Sequence, residues 1–140
     1  MSDGYFGMPE RTLESRRNLW FQTGDIGRMD QEGRFYFMHR VSERIRVKGE
    51  MVSGYEVEEG VLTHPSIQDC AAVAVPGEMG EEDIKVFVTV KDGQSICAER
   101  LKQHCATRMA KFMVPKYVTV LDDMPRTPTG KPEKGRLAAM

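Results

Sequence analysis

The chain has 140 residues, of which 40% are hydrophobic and 29% charged, so it suits one folded domain rather than a disordered tail. Its 20 basic and 21 acidic residues give a net charge of -1, which argues against nucleic acid as a partner. The longest apolar run is far shorter than the about 20 residues of a membrane-spanning helix, and the N-terminus lacks a signal-peptide pattern. We therefore expect a cytoplasmic protein with no membrane span.

The cysteines and histidines predict neither a disulfide nor a metal site. The cysteine count is odd, no CxxC pair occurs, and the histidines have no metal-ligand spacing. The residues concerned are Cys70, Cys97, Cys105, His39, His64 and His104. We expect free thiols in a reducing compartment and no bound metal.

The first third of the chain predicts a helix and a β-hairpin. Pro9 at a first-turn position is compatible with a short helix over 9–17. The turn signal at 30–33 ends in a glycine, and the strand formers of 34–38 follow it. Together they predict a hairpin over roughly residues 23–39.

The rest of the chain alternates strands with helices. The pattern predicts a strand at 45–47, a turn or bulge at 48–50, and a helix opened by a capping box at Ser53 and Glu56. It then predicts strands at 67–75 and 84–90, a helix that begins near Ser95 or Cys97 and ends before Pro115, and a strand at 117–121. Residues 122–140 hold three prolines and two glycines, which predicts an irregular, mobile tail. The fold class expected is α+β, with a small, mainly antiparallel sheet packed with helices and preceded by the hairpin.

Four separated stretches resemble the adenylate-forming superfamily of acyl-CoA synthetases, peptide-synthetase adenylation domains and luciferases. They are WFQTGD at 20–25, HRVSERIRVKG at 39–49, AKFMVPK at 110–116 and PRTPTGK at 125–131. They occur in the family's order and spacing, and the resemblance spans nearly the whole chain. The family's large domain carries a phosphate loop that this sequence lacks.

The resemblance therefore implies a division of the chain into two parts. Residues 1–41 would be the end of a large AMP-binding domain, and 42–140 would be a C-terminal lid domain with the mobile tail 122–140. The large domain of the same protein would be the partner, and the chain alone would be inactive.

By the same resemblance, Asp25 and Arg40 bind the nucleotide. A carboxylate suits the two hydroxyls of a ribose, and a guanidinium suits ribose oxygens or phosphate. The structural alternatives are a turn aspartate closing an Asx-turn and a surface ion pair of Arg40, for instance with Glu43.

Ser42 falls at the family's hinge, where the family usually has Asp or Lys. Lys48 and Gly49 match a glycine loop that lines the pantetheine channel during thioester formation, and the alternative is a tight turn before a helix. Phe112 and Lys116 match a segment that meets the adenine and phosphates of CoA. The equally weighted alternative places Phe112 in the core and Lys116 in solvent.

Lys131 matches the family's catalytic lysine. An ammonium group can bridge the substrate carboxylate and the α-phosphate as charge shifts during adenylation. Pro132 replaces the family's Ile or Val and favours an extended backbone at Lys131. The alternative is a solvated lysine in a tail.

The implied function is that of an ATP-dependent acyl-CoA ligase that uses ATP, Mg²⁺ and CoA. A carboxylic acid and ATP would give acyl-AMP and pyrophosphate, and the CoA thiol would then displace AMP. Two alternatives stay open: a free-standing regulatory or interaction module of the same fold, and a lid whose enzyme uses an acceptor other than CoA.

Overall fold

A computed structural model describes residues 4–18 and 20–140. The chain forms two compact units, Met1–Ser42 and Glu43–Met140, which meet in sequence one residue after the predicted boundary. The assignment of the first unit to a larger domain stays a prediction. Within the described residues, no helix combines the length and apolar character needed to cross a membrane.

The first unit contains the predicted hairpin. Its elements are α1 (Pro9–Glu14), β1 (Arg16–Arg17), β2 (Trp20–Phe21), β3 (Asp25–Met29) and β4 (Phe35–Arg40). β3 and β4 pair antiparallel around a turn in which Gly33 has a φ of +79°, so the hairpin prediction is confirmed. α1 ends at Glu14, earlier than predicted, because the residues of β1 pair with β2.

The first unit has no interior of its own among its described residues, 4–18 and 20–42, since none of them is buried. Large apolar side chains stand in solvent, with exposed fractions of 79% for Trp20, 66% for Phe35 and 53% for Phe37. A two-stranded hairpin is marginally stable in water unless it packs against something else. This unit therefore presents an unpartnered apolar surface.

The second unit is an α+β fold, as predicted. Its elements are β5 (Arg44–Val47), β6 (Glu50–Ser53), α2 (Gly54–Leu62), β7 (Ile67–Pro76), β8 (Glu82–Val90), α3 (Ala98–Ala106), β9 (Tyr117–Val120) and α4 (Lys134–Ala138). β7, β8 and β9 form a sheet in that order, with β7–β8 antiparallel and β8–β9 parallel. β5 and β6 form a separate hairpin, and β6 was not predicted.

The three-stranded sheet is buried on both faces. On β8, Ile84, Val86 and Val88 face one cluster, and Phe87 faces the other. Side chains of α2, α3 and the β5–β6 hairpin pack in the first cluster. They are Val57 and Val61 of α2, Leu101 and Cys105 of α3, and Ile45, Val47 and Val52 of the hairpin. Burial on both faces explains why β7 reads as a nearly continuous apolar run.

The second face of the sheet is covered by the C-terminal segment. Met124 and Leu137 have exposed fractions of 2% and 0% and pack in one cluster with Phe87. The prediction of an irregular tail is wrong for residues 134–138, which form α4. The physical reason is that a buried face needs an apolar cover, and Leu137 supplies part of it.

The predicted capping box at the start of α2 is wrong. Ser53 makes no side-chain cap hydrogen bond, and its Oγ is buried with no hydrogen-bond partner among the described residues. Ser53 occupies the N-cap position of α2 and is also the last residue of β6, but its side chain faces the interior, with an exposed fraction of 4%, and caps nothing.

Ser53→Ala should therefore leave the free energy of unfolding within about 0.5 kcal/mol of wild type, because no hydrogen bond is lost and an unsatisfied hydroxyl is removed. A serine whose hydroxyl caps the helix would cost about 1 kcal/mol on the same change. Urea denaturation of the chain measures the difference. Ser66→Ala is the matched control, since its hydroxyl donates to Gln94 at 3.0 Å. If Ser53→Ala instead lowers the free energy of unfolding by about 1 kcal/mol, the capping box is supported.

Candidate functional site

Asp25 and Arg40 lie opposite each other where the first hairpin opens. They are paired residues of β3 and β4, and Arg40 Nε lies 3.1 Å from Asp25 Oδ1. Both side chains keep contact with solvent, with exposed fractions of 56% for Arg40 and 30% for Asp25. The hairpin thus presents a carboxylate beside a guanidinium, a combination that can bind vicinal hydroxyls and phosphate oxygens.

Among the residues that it describes, the structure contains neither the Asx-turn of Asp25 nor the Arg40–Glu43 ion pair that were the structural alternatives for these two residues. Thr23 Oγ1 accepts a hydrogen bond from the Asp25 amide at 3.0 Å, so the turn is closed by a threonine and not by the aspartate side chain. Arg40 pairs with Asp25, and no ion pair between Arg40 and Glu43 occurs in the described part of the chain.

Ser42, the predicted hinge, lies in the short 3₁₀ turn Val41–Glu43 between the two units. The next residue, Glu43, is already held by the second unit, because its carboxylate lies 3.6 Å from Lys134 Nζ. Lys134 also pairs with Glu58 of α2 at 2.9 Å. The first residue of the second unit is therefore already held by an ion pair within that unit.

Lys48 and Gly49 form the two-residue turn that joins β5 to β6. Both have positive φ, at +51° and +81°, which is the geometry of a type I′ hairpin. The start of β8 supports this hairpin. The carboxylate of Glu81, just before β8, accepts from the Lys48 amide at 2.8 Å, and that of Glu82, its first residue, accepts from the Arg46 amide at 2.7 Å. A Cβ at Gly49 would meet no atom within 4 Å, so backbone conformation, not packing, favours glycine here.

A cavity of about 520 Å³ lies beside this turn and gathers residues from distant parts of the sequence. It is lined by Val47, Lys48, Asp83, Ile84, Lys102, Gln103, Ala106, Lys111, Phe112, Val114 and Lys116. Three of the four predicted CoA contacts, Lys48, Phe112 and Lys116, are among them. Gly49 is adjacent in the turn but does not line the cavity. We call this space the lysine cavity.

The charged side chains that line the lysine cavity are mainly positive. Four lysines line it against one carboxylate, Asp83. Lys116 Nζ donates to Asp83 Oδ2 at 2.7 Å, and this hydrogen bond raises the pKa of Lys116 and keeps the ammonium charged. Phe112, with an exposed fraction of 37%, offers part of an aromatic face. Such a site suits a ligand with phosphate groups and a flat ring.

Sequence reasoning missed Lys102, Lys111 and Asp83. Lys102 follows the buried Leu101 on α3, and Lys111 precedes Phe112 in the 3₁₀ turn Lys111–Met113. A signal existed for Lys111, since it lies inside the 110–116 stretch. Lys102 could not be found by pattern, because a lysine beside a core position is usual on any amphipathic helix.

Lys131 lies at the end of a closed loop. The Thr127 amide donates to the Lys131 carbonyl at 2.8 Å, and the Gly130 amide donates to the Thr127 carbonyl at 2.9 Å. Gly130 has a φ of +82°, which favours glycine there. Lys131 is exposed and forms no ion pair with any described residue. Its ammonium is accordingly available to a ligand.

Lys131 is not among the residues that line the lysine cavity. The second unit thus offers two separate sets of functional candidates. In the described ranges 4–18 and 20–140, no three His, Cys, Asp or Glu side chains converge as metal ligands. Cys70 and Cys105 are buried and Cys97 is exposed, and all three are free thiols.

The model of the AMP-binding enzyme C-terminal domain matches residues 56–131, which is more than half of the chain. The chain belongs to this family. The match begins inside α2 and ends at Lys131. The resemblance deduced from the four sequence stretches is therefore confirmed.

Curated relatives of this AMP-binding enzyme C-terminal domain are CoA ligases. It is 40% identical over 128 residues to crotonobetaine/carnitine–CoA ligase from Escherichia coli O8 (strain IAI1). The aligned residues are 91% of this chain and 25% of that ligase. The corresponding ligase from Salmonella arizonae is 38% identical over the same length. The chain spans about a quarter of the length of these relatives.

Solved structures place the same fold in adenylate-forming enzymes. The amide bond synthetase McbA from Marinactinospora thermotolerans aligns with a TM-score of 0.85 and 31% identity, over 98% of this chain and 28% of that one. The o-succinylbenzoate CoA synthetase from Bacillus subtilis, in complex with its acyl-adenylate intermediate, aligns with a TM-score of 0.87 and 28% identity, over 96% and 28%. The α+β fold class is confirmed by these likenesses.

Proposed function

We propose that the second unit is the lid of an ATP-dependent acyl-CoA ligase. In the first half-reaction, a carboxylate oxygen attacks the α-phosphorus of ATP and pyrophosphate leaves, giving acyl-AMP. In the second, the CoA thiolate attacks the acyl carbon and AMP leaves, giving acyl-CoA. The identity of the curated relatives as CoA ligases supports this assignment.

The lysine cavity is the observation that carries the proposal. Three segments that are far apart in the sequence converge there and bring Lys48, Phe112 and Lys116 to one surface. CoA is a thiol with three phosphate groups and an adenine ring, and it matches a site of lysines with an aromatic face. The open Lys48–Gly49 turn gives the pantetheine arm a backbone edge along which to pass.

Lys131 serves the first half-reaction in this proposal. Its ammonium binds between the substrate carboxylate and the α-phosphate, where negative charge shifts as the new P–O bond forms. Asp25 accepts hydrogen bonds from the ribose hydroxyls of ATP, and Arg40 supports that contact. Mg²⁺ enters with the ATP phosphates. The lid then turns about Ser42, so that the lysine cavity can take part in the second half-reaction.

The large AMP-binding domain of the same protein is the proposed partner of the first unit. Two observations support it. None of the described residues of the first unit is buried, and its aromatic side chains stand in solvent. The chain also spans only a quarter of the length of the CoA ligases that it matches. A free-standing regulatory module would leave that apolar surface uncovered.

Lys116→Ala in the full-length enzyme should raise the KM for CoA about 10–100-fold, because a charge-assisted contact to a phosphate is lost. Carboxylate-dependent pyrophosphate release should stay unchanged. Testing 3′-dephospho-CoA alongside CoA shows which phosphate Lys116 contacts: if it is the 3′-phosphate, the variant should no longer distinguish the two thiols. Steady-state kinetics with each thiol provide the measurement.

Lys91→Ala is the matched control for this experiment. Lys91 belongs to the same unit, lines no part of the lysine cavity, and donates from Nζ to the Pro65 carbonyl at 2.7 Å. An unchanged KM for CoA in Lys116→Ala, or a loss confined to pyrophosphate release, would contradict the assignment of the cavity to CoA.

An acceptor other than CoA is the second candidate, because the amide bond synthetase shares the fold at a TM-score of 0.85. The four lysines of the cavity favour a phosphorylated acceptor over an amine. Supplying the acyl-adenylate with CoA, with a carrier-protein thiol or with a simple amine, and identifying the product, separates the two candidates.

A further inference from the structure

The loop that carries Lys131 is closed on itself by its own backbone. Arg126 and Pro132 form an isolated antiparallel bridge at its base, and the amides of Thr127 and Gly130 are both bonded inside it. The hydroxyls of Thr127 and Thr129 are 2.9 Å apart, which adds a side-chain contact within the loop. The position of Lys131 therefore depends on what holds the base of the loop.

Arg126 holds the loop from two sides. Its Nη1 donates to the Gly130 carbonyl at 2.8 Å, one residue before Lys131. Its Nη2 donates to the Asp69 carboxylate at the start of β7. The other oxygen of Asp69 accepts from the Cys70 amide at 2.9 Å, so the carboxylate itself is fixed to the core strand. One planar guanidinium thus links the loop to the sheet.

We propose that Arg126 is a positioning residue for Lys131, acting through its bridge between the Gly130 carbonyl and Asp69. The inference rests on the proposed role of Lys131 in acyl-adenylate formation. A lysine on a flexible four-carbon stem is useful in a transition state only if its backbone is placed accurately, and small displacements are costly in rate. Arginine is suited to this task because its rigid fork reaches two acceptors at once.

The bridge is partly exposed, with 46% of the Arg126 side chain and 22% of the Asp69 side chain accessible. Exposed ion pairs contribute little to the stability of a protein. Loss of Arg126 should therefore change catalysis far more than it changes the melting temperature. This difference distinguishes a positioning role from a structural one.

The experiment compares Arg126→Ala, Arg126→Lys and Asp69→Asn in the full-length enzyme, with the two half-reactions assayed separately. We expect Arg126→Ala to lower kcat for carboxylate-dependent pyrophosphate release by about 10–100-fold, with little change in the KM for ATP. Thioester formation from supplied acyl-adenylate and the melting temperature should stay at wild-type values. Arg126→Lys keeps the charge but not the fork, so it should also lose activity, and Asp69→Asn should lose activity to a smaller extent.

A double variant tests whether Arg126 acts through Lys131. Once Lys131 is alanine, adding Arg126→Ala should cause no further loss, because nothing remains to be positioned. Lys91→Ala is the matched control, since it removes a cation that also donates to a backbone carbonyl of the same unit.

Three results would overturn the inference. They are wild-type adenylation in Arg126→Ala while Lys131→Ala is inactive, equal losses in both half-reactions, and full additivity in the double variant. If Lys131→Ala itself retains adenylation, the proposed function fails, and the positioning role fails with it.

Discussion

Lys131→Ala in the full-length enzyme should lower the rate of acyl-adenylate formation by about 10²–10³-fold, the usual effect of removing one preorganised charge donor from a transition state. The reason is that Lys131 is exposed, forms no ion pair with a described residue, and is held in a closed loop. Pyrophosphate release in the presence of the carboxylic acid measures this step. Thioester formation from supplied acyl-adenylate should be spared.

Lys131→Arg refines the interpretation, because it keeps the charge and changes the shape of the head group. If charge alone matters, it should restore much of the activity; if the ammonium must fit between two oxygens, it should not. Equal loss of both half-reactions in Lys131→Ala would contradict the assignment, since it would indicate general damage to the lid. Lys91→Ala again serves as the control lysine.

Leu137→Ala should destabilise the chain by about 2–5 kcal/mol, as is usual for removal of a fully buried leucine. Leu137 has an exposed fraction of 0% and packs with Phe87 and Met124 on the second face of the sheet. Urea denaturation followed by far-UV circular dichroism gives the free energy of unfolding. The effect should be large even though only three residues of the sequence follow Leu137.

Leu62→Ala is the matched control for Leu137→Ala, because Leu62 belongs to the same unit and has an exposed fraction of 44%. It should cost much less, since nearly half of the Leu62 surface is already in water, whereas Leu137 is fully buried. A cost at Leu137 as small as that at Leu62 would mean that α4 is detached in solution, and the mobile tail predicted from the sequence would then hold.

The fold of the second unit was largely predictable from the sequence. The main error of the prediction, the missed helix α4, has a physical cause. Prolines and glycines in 122–140 obscured α4, which has only five residues and a single buried one. The missing clue was in β7. Residues 70–75 are apolar without alternation, which indicates a strand buried on both faces, and α2 and α3 cover only one of them. The remaining cover had to come from the tail.

The Ser53 error shows a limit of local patterns. Serine followed by glutamate three residues later correctly indicates the N-cap position of α2, but the pattern does not reveal where the hydroxyl points. The Ser53 side chain faces the interior because Ser53 also ends β6, which pairs with β5. That pairing depends on the positive φ of Lys48, a residue type that seldom adopts it, so the hairpin was predicted only as a turn.

The candidate sites differ in how much of each could be predicted from the sequence. Asp25, Arg40 and Lys131 came from family-like stretches, since nothing in composition or spacing distinguishes them from surface charges. The lysine cavity depends on contacts between α3, the 110–116 stretch and the Lys48 turn, and a single sequence gives no information on such long-range proximity. Arg126 lay inside a recognised stretch, yet its partner Asp69 is 57 residues away.

The ion pair between Glu43 and Lys134 has a consequence for protein engineering. It joins Glu43, the first residue of the second unit, to Lys134 of α4 at 3.6 Å, so the start of the unit lies beside that helix. A domain is exchanged most readily when the cut lies in an exposed segment and leaves its internal ion pairs whole. The second unit is therefore suited to exchange as one piece, with the cut placed before Glu43 so that its ion pair with Lys134 is kept.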